Sequence, residues 1–284
     1  MAQFTNQAQL TYNNSVISSN VAVGEILEVI SAAKTSLSND YTLGEDVTYV
    51  ISAVNSGTTA VTDISVTDDL GAYTFGGETL YPLTYTDGSV RMYINGVLQP
   101  SPVVTAGPPL VFSGITLPAD SNLIIVYEAQ INQFAPLDTL GSITNTATVD
   151  GNGIPTPITV TETVTPEAGP DLTITKSIQP IPVTENSRVT YTFLLQNYGN
   201  TAADASANAV ITDTFDPILT DITVTFNGTA WAEGTQFTYD EATGLFTTVA
   251  GEITVPAATY TTNPETGAVV IAPGVSTLTV TGTI

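Results

Sequence analysis

With neither cysteine nor histidine, the chain has no thiolate and no imidazole to offer. Thiolate chemistry, disulfides, zinc sites of the usual kinds and His-based triads are all excluded. Two lysines remain, Lys34 and Lys176. A buried amine loses charge and becomes nucleophilic, while a carboxylic acid buried beside it holds its proton and can polarise a neighbouring group. Lys34 precedes Tyr49 and Asn55-Ser56-Gly57 at the spacings by which Lys176 precedes Tyr191 and Asn197-Tyr198-Gly199, and Asp68 and Asp213 then close matching Val-Thr-Asp and Ile-Thr-Asp runs. Taken singly, the lysines read as solvated surface residues. Their shared register is what favours chemistry.

Strands must position these groups. The chain has 284 residues, enough for about two domains. Strand signals recur every 8–12 residues or so, separated by Asn-Gly, Asp-Gly and Pro-containing turns, which points to an all-β sandwich of antiparallel strands. Gly24–Lys34 could pass for a short helix, but its counterpart Pro166–Lys176 cannot, so the segment reads as a linker running into a strand. Lys and Arg total 4 against 27 Asp and Glu, a net charge of -23. Such a chain should repel nucleic acid and anionic membrane, and no run approaches the ~20 apolar residues of a membrane span. Met1–Asn6 lacks the basic start and apolar core of a secretory signal, so export by another route, or a trimmed signal, is expected.

An internal repeat dominates the organisation. Val47–Val54 aligns with Val189–Gln196 without gaps, Asn95-Gly96 and Asn227-Gly228 mark hairpins in both copies, and Leu123–Ile131 matches Ser276–Ile284. The first copy continues into a closing hairpin, Ile143–Val164, whereas the second runs only to Ile284. The hairpin's copy lies at the N-terminus, where Thr5–Leu10 aligns with Thr144–Val149 and Asn6 falls at the position of Asn145. Phe4, Ala8, Leu10 and Tyr12 share one parity of this hairpin and suit a donor strand. The expected division is a donor hairpin (1–24), a linker (25–33), a complete repeat (34–165), a second linker (166–175) and a repeat lacking its closing hairpin (176–284).

The pattern Lys…VTY…NxG…VTD…ITNTATV resembles the conserved repeat domain family, the eleventh domain of unknown function, across nearly the whole chain. The resemblance implies two tandem immunoglobulin-like sandwiches of the kind found in adhesins, sheaths and fibres. The mass and two-repeat layout are also similar to proteins of clostridial endospore appendages, which implies a spore-surface setting reached by mother-cell lysis. Certain sandwich domains of surface fibres join a first-strand Lys to a last-strand Asn through an isopeptide bond assisted by a buried acid. Carried onto this sequence, that device implies a Lys34–Asn145 bond assisted by Asp68 within one chain. In the second repeat it implies Lys176 and Asp213 acting on Asn6 of another chain.

The expected role is therefore a structural fibre subunit, an open head-to-tail homopolymer with no cofactor, no metal and no enzymatic site beyond the autocatalytic crosslink. A separate anchoring protein is left open. The competing reading is a self-complemented monomeric adhesin or ligand-binding module. Asn55-Ser56-Gly57 and Asn197-Tyr198-Gly199 read as turns needing a positive φ, and Arg91 and Arg188 as partners of surface carboxylates. The acidic loop at Asp240-Glu241 reads as a solvated turn, since its spacing is not that of a calcium loop. Trp231, Phe237, Tyr239 and Phe246 read as sandwich core or surface ribbon.

Overall fold

The computed structural model describes residues 2–26 and 28–284, so Met1 of the donor segment and Leu27 of the linker lie outside the described residues. The architecture is all-β, in two units of immunoglobulin-like antiparallel sandwich preceded by an N-terminal hairpin. One 3-10 turn, Ala205–Ala207, is the only helical element among the described residues.

In the first unit, one sheet runs in the order Val97–Gln99, Arg91–Ile94, Ser121–Ile131, Asp46–Asn55, Ile30–Ser36, with Leu83–Tyr85 also on Ser121–Ile131. The second runs Val103–Thr105, Leu110–Leu117, Val61–Asp68, Ile143–Asn152, Ile158–Pro166, Asp40–Tyr41. Alternation decides what each strand buries. In Asp46–Asn55 the side chains of Val47, Tyr49, Ile51 and Ala53 point into the core and those between them do not. Phe112, Leu123, Ile125, Ala147 and Val149 meet them from the other strands. Each large apolar side chain buried in this way contributes about 1.5–3 kcal/mol.

The second unit repeats the first sheet: Leu172–Gln179, Arg188–Asn197, Gly274–Thr283, Thr220–Phe226, Thr229–Trp231. Lys34 stands opposite Ile51, and Lys176 opposite Phe193, at the same place in the two ladders. The other main sheet of this unit has three strands among the described residues, Thr212–Thr214, Leu245–Thr248 and Phe237–Asp240. The Asp68 strand has neighbours on both sides, Leu110–Leu117 and Ile143–Asn152. The Asp213 strand pairs on one side, with Leu245–Thr248, and its other edge carries no strand among the described residues.

The N-terminal hairpin consists of two short ladders. Ala2–Asn6 pairs with Ala22–Ile26, and Gln9–Tyr12 with Ser15–Ser18. These strands pair only with one another among the described residues. Asn13 and Asn14 both take positive φ, as a tight hairpin turn requires. Phe4, Ala8, Leu10 and Tyr12 are all exposed. In the segment that could pass for a helix, the described residues include two strands, Ala22–Ile26 and the edge strand Ile30–Ser36, and no helix.

Three expectations need correction. Residues 133–142, read as part of the first repeat, cluster with the second unit, because Val269 donates its backbone N–H to the Gln133 carbonyl and Asn200 Nδ2 donates to that of Leu137. Gly57 and Gly199 do not adopt positive φ. They are needed for close approach, since a Cβ on Gly199 would lie 2.1 Å from the Gly169 carbonyl oxygen and one on Gly57 would lie 2.8 Å from Val29. Arg91 donates to the carbonyls of Gly88 and Val90, not to a carboxylate.

Candidate functional site

The first unit gathers its candidate residues between the two sheets. Ile30–Ser36 directs Lys34 inward at an edge, Val61–Asp68 ends with Asp68 facing it, and Ile143–Asn152 brings Asn145 alongside. All three side chains are buried. Lys34 Nζ lies 2.6 Å from Asp68 Oδ2, and neither side chain is exposed. Asp68 Oδ1 accepts the backbone N–H of Leu70 at 3.0 Å. The neighbouring Asp69 is turned away, where its Oδ1 accepts the backbone N–H groups of Gly71 and Thr146.

Aromatic side chains wall the site. Lys34 Nζ sits 5.0 Å from the centre of the Tyr49 ring, which stacks on Tyr127 at 5.6 Å. Tyr127 is a functional candidate that the sequence reading passed over. Its hydroxyl donates to Asp68 Oδ2 at 2.5 Å and accepts from Asn145 Nδ2 at 3.3 Å. Among the described residues, neither the buried Asn145 Oδ1 nor the buried Tyr49 hydroxyl has a hydrogen-bond partner. The Asn145 amide, close enough to Tyr49 to oppose part of that tyrosine's upward shift, does not reach it in hydrogen-bond geometry.

The electrostatics follow from burial. Desolvation pulls the Lys34 amine below its ordinary value, partly opposed by the Asp68 charge and its hydrogen bond. Desolvation, then the Asp68 charge, push the Tyr127 hydroxyl well up, so it holds its proton at any neutral pH. A dry amine and a carboxyl thus meet directly, and a phenol links the acid to a carboxamide. Such a set can exchange a proton between amine and acid and can carry out acyl transfer from the amide to the amine.

The second unit holds half of this arrangement. Lys176 and Asp213 form a short ion pair through Nζ and Oδ2, with side chains 38% and 19% exposed where the Lys34 pair is at zero. The amine lies over Tyr191 at 4.5 Å and Phe215 at 5.1 Å. Leu172 and Ile174, on the lysine's side of the strand, are also exposed. Val280 stands opposite Tyr191 where Tyr127 stands opposite Tyr49. Asn6, the matching asparagine, lies exposed in the N-terminal hairpin.

The remaining candidates are structural. Trp231 stacks on Phe226 at 5.0 Å, and Phe237 and Phe246 are buried. Asp240 caps its own turn through Ala242 N and Thr243 Oγ1. No group of three or more metal-ligating side chains occurs among the described residues. None of the helices there is long and apolar enough to cross a membrane.

No family model matches the chain, and no curated protein does. Among solved structures it is similar to a fragment of the major pilin of Streptococcus agalactiae, at 15% identity over 52% of this chain and 58% of that one, with a TM-score of 0.36. It is similar to the pilus backbone of Streptococcus pneumoniae at 12% identity over 86% and 55%, TM-score 0.36. The major pilin subunit of Bacillus cereus follows at 13% identity over 95% and 73%, TM-score 0.35. The chain spans just over half the length of the two streptococcal chains.

Proposed function

We propose that the chain is the structural subunit of an extracellular or spore-surface fibre, polymerising head to tail through its N-terminal hairpin. The hairpin of one copy would occupy the open edge of the Asp213 strand in the next. The observation that carries this reading is a matched pair of exposures. In the first unit the strand beside Asp68 is Ile143–Asn152, with Ala147 opposite Asp68 and Ile143, Asn145, Ala147 and Val149 buried. The second unit leaves that edge open and exposes Leu172, Ile174 and Lys176, while the hairpin exposes Phe4, Asn6, Ala8 and Leu10 at the aligned positions. An open edge beside apolar surface drives strand addition. The same patch cannot be self-complementary, so the contact is heterologous and propagates.

Crosslinks complete the reading. Lys34 joins Asn145 within the first unit with Asp68 as the assisting acid, and Lys176 joins Asn6 of the incoming copy with Asp213 in that role. The chain acts on itself alone, as a covalent building material and not as an enzyme turning over a substrate. Denaturing electrophoresis after boiling, combined with intact mass, tests this. A ladder with one ammonia lost per bond is the expected result. Monomers of unmodified mass that form no fibres in the electron microscope would discard the reading and leave the self-complemented monomer.

A further inference from the structure

We propose that Tyr127 is a catalytic residue of crosslink formation in the first unit, the proton relay between Asp68 and the amide nitrogen that leaves. The inference rests on the Lys34–Asn145 reading above and adds a group to it. Asp68 Oδ2 receives both Lys34 Nζ at 2.6 Å and the Tyr127 hydroxyl at 2.5 Å, and Asn145 Nδ2 reaches that same hydroxyl at 3.3 Å. Among the described residues no hydrogen bond joins Asp68 to Asn145 directly. The acid touches the amide only through the phenol.

The steps balance as follows. Lys34 Nζ gives a proton to Asp68 Oδ2, leaving a neutral amine and a carboxylic acid. The Nζ lone pair attacks Asn145 Cγ, forming the N–C bond and moving the carbonyl π pair onto Oδ1. Tyr127 gives its hydroxyl proton to Nδ2 and takes one from Asp68, which returns to carboxylate. The oxyanion pair re-forms C=O, the Cγ–Nδ2 bond breaks and ammonia departs. The new amide nitrogen returns its extra proton to Asp68, and the phenol ends as it began. Without the relay, Asp68 would have to shift to protonate Nδ2 itself, a slower step, because an amide anion is far too basic a group to depart in a dry core. Burial keeps the phenol protonated, which suits a donor.

The second unit supplies the contrast. Val280 occupies the place of Tyr127, so the Lys176–Asp213 pair has no phenol at that position. A site that must wait for a strand from another copy therefore lacks the group that speeds closure in the first unit.

The test uses the full chain, purified under denaturing conditions in unmodified form and refolded, with ammonia loss followed by intact mass and localised by peptide mapping. Tyr127→Phe keeps the ring and removes only the hydroxyl. The expected result is a first-unit crosslink at least tenfold slower than wild type in a chain that folds normally by circular dichroism. Replacing Tyr127 with 3-fluorotyrosine, which changes acidity and scarcely shape, should shift the rate and its pH profile. Equal rates in all three chains would overturn the relay while leaving the crosslink intact. A wild-type chain that never loses ammonia at Asn145 would overturn the crosslink, and the relay with it.

Discussion

Two buried side chains of opposite charge make a costly arrangement, because desolvation of each ion rivals their mutual attraction. The Lys34–Asp68 pair is one, so removing a single partner should hurt more than removing both. In an Asn145→Ala background, where no bond can form, Asp68→Ala leaves Lys34 buried and uncompensated. Unit 1 should lose about 3–5 kcal/mol in urea unfolding. Exchanging both residues for apolar ones of similar size should recover most of that. In the same background the pH dependence has a definite sign. Lys34 has a folded pKa below its unfolded value of 10.5, so between the two the unfolded chain binds more protons and stability rises with pH. The rise should stop near pH 10, where tyrosines whose folded values are raised, Tyr49 and Tyr127 among them, begin to ionise preferentially in the unfolded chain. A urea series from pH 7 to 10 that falls with pH would contradict the buried amine. Asn197 makes a separate case. Its Nδ2 donates to the carbonyls of Thr201 and Pro256, and its Oδ1 accepts the N–H groups of Asp171 and Gly199. Asn197→Ala should cost about 2 kcal/mol or more, because it strands buried backbone groups.

At the level of strands and turns, much was legible because the repeat exposed it. Hydrophobic alternation marks Val47–Ala53 and Val189–Leu195 as core strands, and Asn-Gly marks the hairpins at Asn95 and Asn227, where both residues of each turn take positive φ. The lysine register carried over as well, since each lysine strand pairs with its tyrosine strand at one offset. Other features could not be read from pattern. The Asn-x-Gly motifs recur for a reason that spacing hides: Asn55 and Asn197 are buried and their amides tie loops together, while the glycines make room for backbone. Tyr127 stands in no motif, and its only sequence signal is that Val280 takes its place in the aligned strand. Residues 133–142 belong by sequence order to one unit and by hydrogen bonding to the other, which no local pattern encodes. Strand parity yields a further prediction for the hairpin. Leu10 aligns with buried Val149, and Thr11 with exposed Asp150. Leu10→Asp should abolish assembly and Thr11→Asp should not, as read by sedimentation and electron microscopy. Equal effects would mean that the hairpin does not enter a sandwich in the expected register.

For the whole molecule, the proposed assembly would have to overcome a formal charge of -23 on each copy. Exposed charges interact over a Debye length of about 8 Å at physiological ionic strength and much farther in dilute buffer. Association should therefore be slow at low salt and faster as salt is added, the reverse of a contact steered by opposite charges. The proposed covalent capture would then separate rate from permanence. Lys176→Ala removes the amine of the open site but leaves the edge and apolar patch that would accept the hairpin. Such a chain should still form fibres, and boiling in detergent should return them to monomers, each lighter by one ammonia from the Lys34 bond. Lys34→Ala should do the opposite, leaving a boiling-resistant ladder built of units whose first sandwich unfolds more easily. A Lys176→Ala chain that kept its ladder would place the intersubunit bond elsewhere. If it failed to form even dissociable fibres, Lys176 would be needed for strand capture itself and not only for sealing it.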